Sequence, residues 1–101
     1  MEKIAIKMSK GFKVLTQTER GQAATMSLSP GSSTGGPQNK HRNSDQWLYV
    51  VSGSGKAIVE GKEITLQAGT LLLIEKGETH EITNSSDQPL ETINIYTPPA
   101  Y

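Results

Sequence analysis

The sequence predicts an all-β domain, a sandwich or barrel of short strands. Three observations carry this. Apolar and polar residues alternate in short runs, turn residues punctuate those runs at near-regular spacing, and no window of about eleven residues keeps apolar positions at helical spacing. Taken in order, Ile4 and Ile6 share one face against Lys3, Ala5 and Lys7, the first candidate strand. Further candidates follow at residues 12–16, 23–28, 47–51, 56–60, 63–66, 70–74, 80–83 and 92–97. Pro30-Gly31, Ser52-Gly53-Ser54-Gly55, Ala68-Gly69 and Lys76-Gly77 separate them. Residues 59–64 form a tight hairpin, with Gly61 where a positive φ is needed. Residues 29–39, rich in Gly, Ser and Pro, are expected to be loop. A loop that long in so small a domain is often functional. Leu71-Leu72-Leu73-Ile74 is apolar on both faces, so both need covering, by a second sheet or a partner subunit.

Composition narrows the function. The chain has 101 residues, room for one domain spanning 1–101. Ten basic and ten acidic residues cancel, and the pI near 6.7 lacks the basic excess of a nucleic-acid binder. There is no cysteine, which removes disulfides, thiolate metal sites and cysteine nucleophiles together. No apolar run approaches the ~18 residues of a membrane span, and the start alternates charge with aliphatic residues unlike a signal peptide. The expectation is a soluble, cytoplasmic domain with no nucleic-acid or membrane partner. No Ser-His-Asp triad pattern, phosphate-binding glycine loop or nucleotide fingerprint is visible.

The two histidines, His41 and His80, both sit where a loop feeds a strand, which is where small barrels open to ligands. Their surroundings resemble the cupins. The second cupin motif, G-x5-P-x-G-x2-H-x3-N, is matched by Gly69, Gly77, His80 and Asn84, with Glu75 at the proline. The first is matched in spacing by Asn39, His41, Gln46 and Gly53, with Gly31 two residues too early for the leading glycine. The resemblance implies a cupin-type double-stranded β-helix, a jelly-roll β-barrel that commonly pairs as a homodimer. It also implies a site for a divalent transition metal (Zn, Fe, Ni, Mn or Cu) at Asn39, His41, Gln46 and His80.

Two of those positions carry amides in place of the family's His and Glu. An amide oxygen is a weaker, neutral donor, so metal affinity is expected to fall well below that of an intact site. Two imidazoles and two amides can each donate and accept hydrogen bonds, an inventory suited to an oxygen-rich organic ligand. The resemblance therefore implies a small-molecule-binding protein. It leaves open a metal-dependent enzyme of dioxygenase or isomerase type and a non-catalytic binding or sensing module without metal. Alternation points Gln46, Leu48 and Val50 inward, and Trp47 and Tyr49 outward.

Overall fold

The computed structural model describes residues 1–35 and 41–101. Among the described residues there are nine strands, all paired antiparallel: β1 (Gly11–Gln17), β2 (Gln22–Leu28), β3 (Ser33–Thr34), β4 (Asp45–Ser52), β5 (Ser54–Val59), β6 (Lys62–Gln67), β7 (Leu71–Ile74), β8 (His80–Thr83) and β9 (Leu90–Thr97). They form a five-stranded sheet, β1-β2-β9-β4-β7, facing a four-stranded sheet, β3-β8-β5-β6. The all-β expectation holds. Among the described residues no helix is long and apolar enough to cross a membrane.

The core lies between the sheets. Met26, Leu28, Leu48, Val50 and Leu90 from one sheet meet Ala57, Val59, Leu66 and Ile82 from the other, all buried. In β4 burial alternates as expected: Gln46, Leu48 and Val50 point in, while Trp47, Tyr49 and Val51 point out. Strand β9 is different. Its inward face is Thr92, Asn94 and Tyr96, all nearly fully buried, while Ile93 and Ile95 face outward. The barrel thus takes polar groups inside on one wall.

Two sequence expectations are corrected. Residues 1–9 are not a strand, because alternation supplies no partner and the sheet ends at β1. The glycine-rich stretch contains the two-residue β3, pinned to β8 by backbone pairing and by a Ser33–Thr83 hydroxyl bond of 2.9 Å. The expected hairpin at 59–64 is present, with Glu60 and Gly61 both at positive φ, 49° and 77°.

Candidate functional site

Two loops must meet to build the site, and backbone bonds hold them together. Gly77 N–H donates to the His41 carbonyl at 2.7 Å, and Lys76 N–H donates to Asp45 Oδ1 at 2.9 Å. The turn before His80 is thereby tied to the segment that carries His41. A second clip comes from the β5–β6 turn, where Glu60 Oε2 accepts from both the backbone N–H and the hydroxyl of Thr79. Asn84, the motif asparagine, is buried and fully engaged: it donates to Leu28 and Gln88 carbonyls and accepts from Ser86. Its role is structural, joining the end of β8 to the end of β2.

These ties bring the predicted residues together. The His41 and His80 rings lie 5.0 Å apart, centroid to centroid, at an interplanar angle of 36°. Both line a cavity of about 440 Å³, together with Gln46. Asn39 lies outside the described residues. Burial lowers the His41 pKa below its ordinary 6.5, the neighbouring His80 ring adds to this, and the Gln46 carboxamide partly offsets it. Burial likewise lowers His80, opposed by the Glu78 backbone carbonyl and carboxylate. His80 Nδ1 sits 3.3 Å from that carbonyl, which can only accept, so the neutral ring carries its proton on Nδ1.

Behind the histidines runs a buried relay that sequence reasoning missed. Gln46 Nε2 donates to Asn94 Oδ1 (2.9 Å), Asn94 Nδ2 donates to Thr92 Oγ1 (3.0 Å), and Thr92 Oγ1 donates to the Met26 carbonyl (2.9 Å). Gln46 Oε1 is buried and has no hydrogen-bond partner among the described residues. It lies near His41 and favours that ring's protonated form, but without the geometry of a hydrogen bond.

The walls were missed too. Phe12, Tyr96 and Tyr101 form an aromatic box, with ring centroids 4.7 Å (Phe12–Tyr101), 5.2 Å (Tyr96–Tyr101) and 6.3 Å (Phe12–Tyr96) apart. Met26, Leu28 and Ile82 continue the apolar lining. Tyr101 is carried over the cavity by buried Gln22, which donates to the Tyr101 carbonyl (2.7 Å) and accepts from the N–H groups of Ala100 and Tyr101. The Tyr101 hydroxyl then lies 3.4 Å from His41 Nε2. Burial raises the pKa of both Tyr96 and Tyr101, so both stay neutral phenols. The inward register of Tyr96 with Asn94 was the signal available in the sequence; nothing in it placed Phe12 or Tyr101 at the site.

Against the needs of a resident divalent ion, the described donors fall short. Two imidazoles and one amide oxygen are all neutral, and among the described residues no group of three or more His, Cys, Asp or Glu could hold a metal. An ion here would keep its charge uncompensated in a low-dielectric wall.

Two facing antiparallel sheets, with histidines delivered to the barrel by two tied loops, define a double-sheet β-barrel. The family profile described as "Cupin domain" matches residues 24–96, and the chain belongs to the cupin family. It is 33% identical over 72 residues to the oxalate-binding protein of Thermotoga maritima, an alignment covering 71% of this chain and 58% of that protein. It is 31% identical over 71 residues to the tetracenomycin polyketide synthase protein TcmJ of Streptomyces glaucescens, covering 70% of this chain and 46% of that one. The chain thus matches about half the length of these relatives. A crystal structure of a Bacillus halodurans protein superposes with a TM-score of 0.85 at 24% identity, covering 91% of this chain and 73% of that chain, which establishes the fold.

Proposed function

We propose that this cupin domain binds a small organic molecule in the barrel, with His41, Gln46 and His80 as its polar end and the aromatic box as its walls. The observation that carries this is the cavity itself: about 440 Å³, apolar over most of its lining, with three convergent polar side chains at one pole. The names of the two relatives, one binding oxalate and one belonging to a polyketide synthase, agree with a small-molecule ligand. Thermal-shift screening tests it. A ligand at 100 times its Kd stabilises by about 2.7 kcal/mol, or roughly 10–20 °C at this chain length. Hits should lose their effect in His41→Ala and Tyr96→Ala. Hits that persist in both place binding elsewhere and overturn the proposal.

The 5.0 Å approach of the two imidazoles favours a second reading, in which His41, His80 and Gln46, with Asn39, take up a divalent transition metal weakly. Restoring a carboxylate and an imidazole with Gln46→Glu and Asn39→His should raise metal affinity at least roughly tenfold, about 1.4 kcal/mol. Calorimetric titration with Zn²⁺ or Ni²⁺ measures this, and no gain means that the four positions do not converge on an ion.

A further inference from the structure

We propose that the ligand is a neutral hydroxyl-bearing aromatic, a phenol-class ring, whose O–H donates to Gln46 Oε1. This rests on the cavity being a binding site and goes on to the chemistry it selects. The orientation of Gln46 is dictated from the far end of the relay. The Met26 carbonyl can only accept, so the Thr92 hydroxyl must donate to it and accept from Asn94 Nδ2. Asn94 therefore turns its Oδ1 to Gln46, and Gln46 must answer with Nε2. Flipping the Gln46 amide would set two acceptor oxygens against each other. Its own oxygen is consequently the atom left over, in a side chain only 3% exposed that lines the cavity. A carbonyl oxygen has two lone pairs, so even a partial share with His41 leaves it able to accept from a ligand. A buried acceptor without a partner costs about 1–3 kcal/mol, and a ligand that supplies a donor recovers that cost.

The rest of the cavity sets the remainder of the molecule. No Lys, Arg, Asp or Glu is among the described residues lining it. Against those residues a carboxylate or an ammonium would be desolvated without a counter-charge. Phe12, Tyr96 and Tyr101, packed on one another, form one aromatic side of the cavity, against which a flat ring packs through edge and face contacts. Phenol-class ligands satisfy both ends at once.

The test uses the whole chain and four probes of one shape: 2-naphthol, 2-methoxynaphthalene, naphthalene and 2-naphthoate. Binding is followed by two-dimensional NMR on resonances of cavity residues. The expected result is 2-naphthol binding at least tenfold tighter than 2-methoxynaphthalene or naphthalene, with 2-naphthoate weaker still. In Gln46→Met the advantage of the hydroxyl over the methoxy and unsubstituted rings should vanish. Equal affinity of the hydroxyl and methoxy compounds overturns the donor argument without any variant, and preference for the carboxylate overturns the neutral one. If none of the four binds while other compounds from a screen shift the cavity resonances, only the phenol class fails. If no compound shifts them, the cavity is not a binding site and the wider proposal fails with it.

Discussion

Replacing Gln46 by Met should leave stability nearly unchanged although it removes a buried hydrogen bond. The substitution deletes the 2.9 Å bond to Asn94 and leaves Asn94 Oδ1 unpaired, a loss of about 1–3 kcal/mol. It also deletes Oε1, which is already buried and unpaired, recovering a similar ~1–3 kcal/mol. The two terms cancel to within about 2 kcal/mol, and the shape is kept because Met is unbranched and of similar length. Asn94→Leu has no such compensation. It strips the acceptor from Gln46 Nε2, so the whole carboxamide is buried unsatisfied, while Thr92 still donates to Met26. That variant should lose about 1–3 kcal/mol more than Gln46→Met. At roughly 4–8 °C per kcal/mol, the gap between the two melting temperatures is about 4–24 °C. Circular-dichroism melts and urea titrations on both variants measure it. If Gln46→Met falls as far as Asn94→Leu, Oε1 has a partner inside the protein, and the argument for a ligand donor collapses.

Other consequences are separable. Gly53 has φ +86° and a Cβ there would sit 2.2 Å from the Pro89 carbonyl oxygen, so Gly53→Ala should lose at least about 3 kcal/mol; Gly61, at φ +77° with open space around it, should lose only the conformational ~1–2 kcal/mol in Gly61→Ala, and equal losses by urea denaturation would contradict this. Both His pKa values are lowered in the fold, so as pH falls the unfolded chain takes up protons first, and stability present above pH 6.5 declines as pH drops through and below that value; urea midpoints at pH 7.5 and 5.5 should differ by less in the His41→Gln/His80→Gln double variant than in the parent. On the outer face, register places Trp47 beside Leu73 and Ile95, and Tyr49 beside Leu71 and Ile93, a contiguous apolar patch in which Leu71 is 62% exposed; pairing of two copies over it is expected, and Leu71→Lys or Leu73→Lys should shift sedimentation from dimer to monomer. A parent chain that sediments as a monomer at tens of micromolar removes that expectation.

The sequence carried the fold because its strands obey local rules. Gln46, Leu48 and Val50 alternate inward, Glu60-Gly61 supplies the turn its hairpin needs, and the motif spacing of Gly69, Gly77, His80 and Asn84 survives intact. It also carried the meeting of His41 with His80, since each histidine sits at a loop-to-strand junction on the same barrel. The N-terminal Ile4/Ile6 alternation misled, because period-2 patterning describes a side-chain habit and says nothing about whether a neighbouring strand exists to pair with. The aromatic box was unreadable for a related reason. Phe12, Tyr96 and Tyr101 are brought together only by the order β1-β2-β9 and by the clamp of Gln22 on the segment after β9, neither of which leaves a local signature.

Strand β9 shows how the site and the outer surface are coupled. An alternating strand has one polar and one apolar face, and ordinary burial would turn Ile93 and Ile95 inward. Here they face out, and Thr92, Asn94 and Tyr96 take the interior. That inversion forgoes part of the hydrophobic burial of two half-buried isoleucines, less than the about 1.5–3 kcal/mol each that full burial gives. Two things offset it. Thr92 and Asn94 are satisfied through the relay to Met26, so they carry no desolvation debt of their own. The exposed isoleucines join Trp47, Tyr49 and the leucines of β7 in one apolar patch on the outer face, where they still pack against each other. A single register thus sets both the relay behind Gln46 and the outer apolar patch. Shifting it by one residue would lose both together, since every side chain would change face.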